Sequence, residues 1–218
     1  WGKMMKMSTF KNGLFISFEG IDGCGKSTQV SMLVNKLEEK KIDHILVREP
    51  GGSRIAEEIR DVLLKKHTEK MDPRAEALLM VASRAQLTKT LIKPLINKGT
   101  CVVADRYMDS TIAYQGGGRE LDIEYLLGLN EFATYSTKPD ITFLIDIDPV
   151  ECANRIEPKE LDRIESAGVN FQKKVRKQYL DLAERYPERV FKINGSKSID
   201  NIHKEIWNKT WTFLNEKN

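Results

Sequence analysis

Residues 20–27 constrain the fold of this chain more than any other segment. They read Gly-Ile-Asp-Gly-Cys-Gly-Lys-Ser and match the pattern G-x-x-x-x-G-K-[ST] in full, with Thr28 next. An apolar run at 14–18 precedes them directly. The residues after them form one apolar helix stripe, at Val30, Leu33, Val34 and Leu37. A glycine-rich segment between a buried strand and an amphipathic helix is the arrangement that a phosphate-binding loop (P-loop) requires.

The residue types in this loop suit the phosphates of a nucleoside triphosphate. Gly20, Gly23 and Gly25 let the backbone curl so that amide N–H groups and the helix N-terminus face phosphate oxygens. Lys26 supplies a positive charge for the β- and γ-phosphates, and Ser27 offers a hydroxyl to Mg²⁺. The alternative is a structural glycine-rich turn capped by Ser27. A P-loop alone leaves the reaction open, because many classes of protein share it.

Strand and helix patterns alternate along the rest of the chain. Apolar, β-branched runs predict buried strands at 14–18, 45–47, 101–104, 141–145 and 190–193. Helices are predicted at 55–64, 73–96, 123–133, 171–185 and 199–214. This alternation predicts an α/β protein, a three-layer P-loop fold with a five-stranded parallel sheet flanked by helices. We expect a single domain over residues 14–218, preceded by a tail at 1–13 that could derive from an expression vector.

The charge balance argues against nucleic-acid binding. Lys and Arg number 35 against 32 Asp and Glu, and the net charge of +3 is too small and too scattered for a basic stripe. The pairs Lys65-Lys66 and Lys173-Lys174 are interpreted as solvated helix faces. Residues 1–13 contain no apolar run long enough for a signal peptide or a membrane span, so no membrane partner is expected.

The cysteines indicate a reducing compartment. Cys24, Cys101 and Cys152 are far apart, odd in number and without Cys-x-x-Cys spacing. This argues against a disulfide framework or a zinc site and favours the cytoplasm.

Two charged motifs are predicted beside the P-loop. Residues 48–52 (Arg-Glu-Pro-Gly-Gly) end the second strand, and residues 105–107 (Asp-Arg-Tyr) end the third. Ligands of open α/β sheets bind at that carboxyl edge. Arg48 and Arg106 could together hold the phosphate of a second substrate, and Asp105 is placed to organise Mg²⁺. Either arginine alone would be interpreted as part of a surface ion pair.

The segment 154–170 differs in character from the rest of the chain. It is charged, contains proline and glycine, and has little apolar periodicity. A solvent loop is the default interpretation, and a mobile lid is the alternative. Arg155, Lys159 and Arg163 are spaced by four and would share one face of a helix. A solvated basic stripe is the competing interpretation, which we accept for Lys159.

Four motifs in succession resemble the signatures of bacterial-type thymidylate kinases. They are Phe-Glu-Gly-Ile-Asp-Gly at 18–23, Arg-Glu-Pro-Gly-Gly at 48–52, the stretch 105–116 and Asp-Arg-Ile-Glu at 162–165. The resemblance runs from about residue 14 to the final helix. It implies a Mg²⁺-dependent transfer of the γ-phosphoryl group of ATP to dTMP, giving ADP and dTDP for dTTP synthesis. It also implies a homodimer.

The resemblance assigns a set of residues to the dTMP site, namely Asp22, Arg48, Glu49, Pro50, Arg60, Met80, Arg84, Arg106, Thr111, Tyr114 and Gln115. Asp22 is implied to reach the 3′-hydroxyl, and three arginines (48, 60 and 106) surround the acceptor phosphate. The Glu49-Pro50 peptide bond is implied to be cis. The residues at 84, 111 and 115 would hydrogen-bond the thymine. The ring of Tyr114 would lie beneath the sugar. Met80 stands where the family usually has Phe, and it could equally be a core residue.

The resemblance also assigns the ATP site, the metal ligands and the catalytic groups. ATP would contact Gly20, Gly23, Cys24, Gly25, Lys26, Ser27, Thr28, Arg155, Asn194 and Gly195. The implied metal ligands are Ser27, Asp105 and Glu165, with a simple ion pair as the alternative for Glu165. The implied catalytic residues are Asp22, Lys26, Arg106 and Arg163. Because Gly23 stands where some thymidylate kinases carry an arginine, the cationic role would fall to Arg163 in the lid.

Two other functions remain open at this stage. The first is a kinase of another deoxynucleotide or of a nucleoside, although Arg48 and Arg106 would face no phosphate if the acceptor were a nucleoside. The second is a regulatory P-loop module that binds nucleotide without transferring phosphate to a small acceptor. Such a module would lack paired arginines at the sheet edge and an arginine-bearing lid.

Overall fold

A computed structural model of the protein describes residues 13–155 and 162–216. Its strands are β1 (Phe15–Glu19), β2 (His44–Arg48), β3 (Cys101–Asp105), β4 (Ile141–Asp146) and β5 (Val190–Asn194). All pair in parallel, in the order β2-β3-β1-β4-β5. The predicted α/β fold with a five-stranded parallel sheet is confirmed.

Successive side chains along the central strands enter two separate cores. Ile16 and Val103 belong to the larger core, whereas Phe15 and Val102 belong to the smaller one on the opposite face of the sheet. Because both faces are covered, the central strands are apolar at almost every position rather than at alternate ones. This explains why uninterrupted apolar runs were a sufficient signal for β1, β3 and β4.

The helices are α1 (Lys26–Glu39), α2 (Arg54–Leu64), α3 (Pro73–Leu87), α4 (Lys93–Asn97), α5 (Met108–Thr111), α6 (Ile123–Ala133), α7 (Pro149–Arg155), α8 (Val169–Arg185) and α9 (Ile199–Glu216). The helix predicted at 73–96 consists of α3 and α4 joined by a π-helical stretch, Thr88–Ile92. Asp72 caps its start by accepting hydrogen bonds from two backbone N–H groups, and Pro73 occupies the first turn.

Two helical stretches were not predicted. One is α7, and the other is α5 continued by a π-helical segment, Ile112–Gly118. The second escapes a search for apolar periodicity because it ends in three consecutive glycines. Those glycines allow close packing on α8, since a Cβ atom at Gly117 would lie 2.5 Å from the Cβ of Gln178.

Two predictions about charged residues are corrected by the structure. Lys65 and Lys66 do not lie on a helix face, because α2 ends at Leu64; both are exposed in the following loop. Arg163 does not share a helix face with Arg155, because it lies in a turn before a short 3₁₀ helix, Glu165–Ala167. Lys159, the central part of the predicted lid (156–161) and the predicted tail up to residue 12 lie outside the described residues.

Parallel strands bring their carboxyl ends to one edge of the sheet. The P-loop follows β1, the Arg48 motif ends β2, and the Asp105 motif ends β3, which lies between β1 and β2. All three therefore meet at one crevice, as predicted. Within the part of the chain that the structure describes, no helix has the length and apolar character needed to cross a membrane.

Candidate active site

The P-loop wraps around the side chain of Lys26. Its Nζ donates hydrogen bonds to the carbonyl oxygens of Gly20 and Ile21, both at 3.1 Å. The loop needs glycine where φ is positive, at Gly20 (139°) and at Gly25 (91°), which precedes α1. A Cβ at Gly20 would also lie 2.6 Å from the carbonyl oxygen of Ile145. The loop thus has the conformation expected of a phosphate cradle.

Arg106 connects the end of β3 to the P-loop. Its backbone lies in the left-handed region (φ 71°), which is uncommon for a non-glycine residue and frequent at functional sites. The guanidinium donates to the Gly20 carbonyl oxygen at 2.9 Å, to Asp22 Oδ1 at 2.6 Å and to the Tyr114 hydroxyl at 2.9 Å. It also stacks over the Tyr114 ring, 4.9 Å from the centroid. Arg106 is therefore fixed between the P-loop and the π-helical segment.

Asp22 is held as an anion among hydrogen-bond donors. Besides Arg106, it accepts hydrogen bonds from the Tyr114 hydroxyl at 3.0 Å and from Gln172 Nε2 at 3.1 Å. Burial alone would raise the pKa of this carboxyl, but the charges of Arg106 and Lys26 outweigh burial and bring the pKa below its ordinary value. An ionised carboxylate can accept a hydrogen bond from a hydroxyl of a bound ligand.

Arg48 and Arg60 lie together at the end of β2. Arg48 donates to Glu57 Oε2 at 2.9 Å, and Arg60 donates to the Pro50 carbonyl oxygen at 2.8 Å. Burial first, and then the neighbouring charge of Arg48, lower the pKa of Arg60. Two guanidinium groups held close enough to repel each other form a site that an anion would stabilise.

Glu49 and Arg84 form a buried ion pair at the back of the crevice. Their side chains are 3% and 1% exposed, and Arg84 Nε lies 2.7 Å from Glu49 Oε2. The other two guanidinium nitrogens donate to Thr111, Asn130 and the Tyr107 carbonyl oxygen. Burial raises the pKa of Glu49 to about 7 despite the nearby arginine. The Glu49-Pro50 bond is cis, as the resemblance implied.

Every nitrogen of Arg84 thus already has a partner within the protein. The contact from Arg84 to a base, which the resemblance implied, stays a prediction. Met80, Thr111, Tyr114 and Gln115 line the same part of the crevice. Met80 is partly buried and packs against the larger core, so it belongs both to the core and to the crevice wall.

The opposite end of the crevice is formed by α7 and the loop after β5. Arg155 donates to Glu151 at 2.6 Å and approaches the Gly195 carbonyl oxygen at 3.5 Å. Asn194 lines a smaller neighbouring cavity, and its side chain accepts a hydrogen bond from the Ser196 backbone N–H. Arg155 and Gly195 therefore line the same cavity as the P-loop, and their contact with the nucleoside of the donor stays a prediction.

The structure places Arg163 against α2 and α3. Its Nε donates to the Leu63 carbonyl oxygen at 2.8 Å, and its NH1 donates to Glu76 Oε2 at 2.5 Å. Arg163 is not among the described residues that line the crevice, although Asp162, Ile164 and Glu165 are. The role predicted for it in phosphoryl transfer stays a prediction, and that role requires the guanidinium to leave Glu76.

One cavity of about 920 Å³ joins these parts, a size typical of sites for small ligands. The predicted residues that line it are Asp22, Gly23, Cys24, Gly25, Lys26, Ser27, Thr28, Arg48, Glu49, Pro50, Arg60, Met80, Arg84, Asp105, Arg106, Thr111, Tyr114, Gln115, Arg155, Glu165 and Gly195. Gly20 contributes its carbonyl oxygen to Lys26 and Arg106 from behind this surface. Sequence motifs separated by more than a hundred residues are thus brought together at one site.

A family model described as Thymidylate kinase matches residues 18–206. The chain belongs to the thymidylate kinase family. A thymidylate kinase from Fervidobacterium nodosum is 49% identical over 193 residues, which cover 88% of this chain and 96% of that protein. One from Kosmotoga olearia is 45% identical over 196 residues, covering 88% and 93%.

A solved structure gives the same answer for the fold. The crystal structure of thymidylate kinase from Ehrlichia chaffeensis superposes with a TM-score of 0.74 at 32% identity. The match covers 92% of this chain and 99% of that one. The thymidylate kinase resemblance on which the sequence interpretation depended is confirmed.

Sequence reasoning missed two buried carboxylates at the thymidylate kinase site, and the first is Glu19. It lies at the end of β1 and is fully buried, and it accepts hydrogen bonds from the Tyr107 backbone N–H, Ser110 and Tyr179. Burial, and then the charge of Asp109, raise its pKa. A charged residue at the end of an apolar strand, directly before the P-loop, was a signal that could have identified it.

A second missed carboxylate, Glu76, receives hydrogen bonds from Gln115, Arg119 and Arg163. Its spacing was the available signal, since residues 76, 80 and 84 lie four apart and share one face of α3.

Proposed function

We propose that this chain is an ATP-dependent dTMP kinase that transfers the γ-phosphoryl group of ATP to dTMP, giving ADP and dTDP for dTTP synthesis. One observation carries the proposal. The Gly20 carbonyl oxygen accepts hydrogen bonds from both Lys26 Nζ, at 3.1 Å, and Arg106 NH1, at 2.9 Å. The cation of the P-loop and the cation of the acceptor motif are therefore immediate neighbours.

That neighbourhood suits phosphoryl transfer between two nucleotides. The transferred group spreads negative charge over its oxygens, and catalysis consists mainly of positioning and electrostatic stabilisation. Lys26 would hold the β- and γ-phosphates of the donor. Arg106, with Arg48 and Arg60, would hold the acceptor phosphate. Asp22 lies beside Arg106 as an acceptor for the 3′-hydroxyl of the sugar.

The rest of the dTMP site is proposed on the same basis. Tyr114 would lie beneath the sugar, and Met80, Arg84, Thr111 and Gln115 would surround the base. The backbone near Glu49 and Pro50 would complete the wall of the dTMP site. Their common place in one cavity supports this assignment.

The ATP site is proposed to run from the P-loop to the loop after β5. Residues 20–28 would hold the phosphates, and Arg155, Asn194 and Gly195 would border the adenosine. The position of Arg155 over the Gly195 carbonyl oxygen supports this direction of binding.

The oxygen ligands in the cavity fit a magnesium ion. Ser27, which is exposed, lines the cavity together with Asp105 and Glu165, so a hydroxyl and two carboxyl groups are available there. Mg²⁺ is usually held by one or two protein oxygens together with substrate phosphates, so a dense cluster of protein ligands is not required. When bound, Mg²⁺ neutralises charge on the β- and γ-phosphate oxygens.

We further propose a single domain over residues 14–218 whose lid, about 154–170, delivers Arg163 to the transferred group. Lid closure would exclude water, as in other phosphoryl-transfer enzymes. The odd number and wide spacing of the cysteines support a cytoplasmic location.

A homodimer is proposed because the family resemblance implies one and because one surface of the molecule carries exposed apolar side chains. Ile55 and Val62 on α2, Leu78 on α3, and Tyr125 and Phe132 on α6 are between 45% and 83% exposed. These helices pack side by side, and the exposed pairs on α2 and α6 are seven residues apart, so each pair shares a helix face. A second copy of the chain would cover this surface.

The experiment that tests the activity is a coupled ADP-release assay with ATP, Mg²⁺ and dTMP, dUMP, dCMP, dGMP or AMP in turn. We expect dTMP to give the highest kcat/KM. Preference for another deoxynucleotide would identify a different kinase. Failure of every acceptor, together with no increase in melting temperature on adding dTMP alone, would favour a regulatory nucleotide-binding module.

A further inference from the structure

Glu76 is a buried carboxylate whose two oxygens each accept two hydrogen bonds. Oε1 accepts from Gln115 Nε2 at 2.9 Å and from Arg119 Nε at 3.1 Å. Oε2 accepts from Arg119 NH2 at 3.1 Å and from Arg163 NH1 at 2.5 Å. The Glu76 side chain is 1% exposed, so these donors replace water completely.

The surroundings of Glu76 favour its ionised form. Burial would raise its pKa, but hydrogen bonds from Arg119 and Gln115 outweigh burial, and the pKa lies below its ordinary value. An ionised carboxylate accepts hydrogen bonds and donates none. The amide of Gln115 must therefore turn its nitrogen toward Glu76.

This fixes what Gln115 offers to the cavity. Gln115 lines the crevice beside Met80, Arg84 and Thr111, whereas Glu76 is not among the described residues that line it. With its nitrogen held on Glu76, the amide keeps its carbonyl oxygen as an acceptor for a ligand, beside the second N–H of the same nitrogen. The oxygen and the nitrogen of Gln115 can then no longer exchange places, so the position of the acceptor is fixed.

The consequence concerns the base of the nucleotide. A thymine attached to its sugar has one N–H donor, at N3, and a cytosine has an unprotonated acceptor at the same position. A carbonyl oxygen facing N3 forms a hydrogen bond with thymine or uracil and meets a second acceptor with cytosine. A site built for one hydrogen-bond pattern rejects a base that cannot complete it.

We propose that Glu76 is a positioning residue that sets base selectivity by holding the Gln115 amide with its oxygen toward N3–H of the pyrimidine. This inference rests on the proposed function and adds to it the group that selects the base. Glu76 acts through Gln115 and does not itself touch the nucleotide.

The test compares kcat/KM for dTMP, dUMP and dCMP in wild type and in Glu76→Gln. The neutral amide can donate as well as accept, so Gln115 is free to turn its nitrogen toward the base. We expect the ratio of kcat/KM for dTMP to kcat/KM for dCMP to fall about tenfold or more. The value for dUMP should change in the same way as the value for dTMP. Glu39→Gln, a change of the same chemistry on an exposed side chain of α1, is the matched control and should keep the ratio.

A double-mutant cycle separates positioning from a structural role. In the Gln115→Ala background, adding Glu76→Gln should leave the dTMP-to-dCMP ratio unchanged within about twofold, because the group through which Glu76 acts is gone. The conservative Glu76→Asp keeps the charge and should restore part of the ratio lost in Glu76→Gln. If kcat/KM fell by the same factor for dTMP, dUMP and dCMP in Glu76→Gln, the proposal would be overturned. Glu76 would then have a structural role only.

A second measurement does not depend on whether Glu76 variants fold. The N3 imino proton of dTMP bound to the wild-type protein should be protected from exchange and visible by NMR, and Gln115→Ala should abolish this signal. An imino signal unchanged in Gln115→Ala would overturn the proposal. Failure of the proposed function would look different, since wild type would then not phosphorylate dTMP at all.

Discussion

The Arg106 guanidinium lies 2.6 Å from Asp22 Oδ1, although 84 residues separate them in the chain. This ion pair joins the end of β3 to the P-loop that follows β1. It places a cation of the proposed acceptor site beside the carboxylate proposed to receive the sugar hydroxyl. The arrangement depends on β3 and β1 being neighbours in the sheet.

Arg106→Ala should weaken dTMP binding at least tenfold while ATP affinity changes less than about threefold. The guanidinium is proposed to contact the acceptor phosphate, and a charge-assisted hydrogen bond contributes about 1.5–3 kcal/mol. Isothermal titration with each nucleotide separately measures both affinities. Arg176→Ala is the control, since Arg176 pairs with Asp146 outside the main cavity. Equal losses for the two nucleotides would contradict the assigned role.

Arg155→Ala should raise KM for ATP several-fold and leave kcat and KM for dTMP nearly unchanged. Its guanidinium borders the proposed adenosine site and approaches the Gly195 carbonyl oxygen at 3.5 Å. Removing a uniform binding interaction raises KM without lowering kcat. Steady-state kinetics with each substrate varied gives the result. A large loss of kcat would instead indicate that Arg155 acts in the chemical step.

Glu49 should make stability depend on pH. Burial raises its pKa from 4.5 to about 7 in the folded protein, so between these values the folded state holds a proton that the unfolded state has lost. The stabilisation from Glu49 is therefore fully present below pH 4.5 and is lost as the pH rises through about 7. The difference in unfolding free energy between wild type and Glu49→Gln should fall by about 3 kcal/mol over this window. Urea unfolding at a series of pH values measures it, and a constant difference would refute the account.

Arg189→Met should destabilise the fold by about 3–5 kcal/mol. Arg189 donates to both carboxylate oxygens of Asp109, at 2.6 and 2.8 Å, and the Asp109 side chain is 3% exposed. The substitution leaves a buried charge without its partner. Arg185→Met is the matched control, because the Arg185–Glu124 pair is 48% and 75% exposed, and it should cost at most about 1 kcal/mol. Similar losses for both variants in urea unfolding would argue against this explanation.

Phe132→Asp should convert the proposed homodimer to a monomer. Phe132 is 83% exposed on α6, within the apolar surface proposed to be covered by a second copy. A charge buried without a partner at an interface strongly opposes association. Sedimentation velocity measures the change, and Val150→Asp, at a 50% exposed position on α7, is the control. A wild-type protein that sediments as a monomer would contradict the proposal.

The sequence was sufficient to predict features that depend on residues adjacent to one another in the chain. The strands were visible because both faces of the sheet are covered, and the P-loop was visible because its glycines and Lys26 are contiguous. The π-helical segment Ile112–Gly118 was missed because its structure comes from packing on α8 rather than from its own periodicity.

Side-chain partners across the fold were harder to predict. The contacts of the Arg84 nitrogens with Glu49, Thr111, Asn130 and Tyr107 were not predicted. The contact of Arg163 with Glu76 was not predicted either. The proposed contacts of both arginines with the substrates stay predictions. Motifs identify which residues gather at a site, whereas their mutual contacts depend on distances that spacing along the chain does not encode.

Because a single backbone oxygen, that of Gly20, holds both Lys26 and Arg106, the two cations are tied to the same atom at the end of β1. A small shift of that strand end would carry both charges with it and preserve the gap between them. The spacing between donor and acceptor phosphates would therefore tolerate thermal motion of the surrounding loops, since it is set at the residue that directly follows the central strand of the sheet.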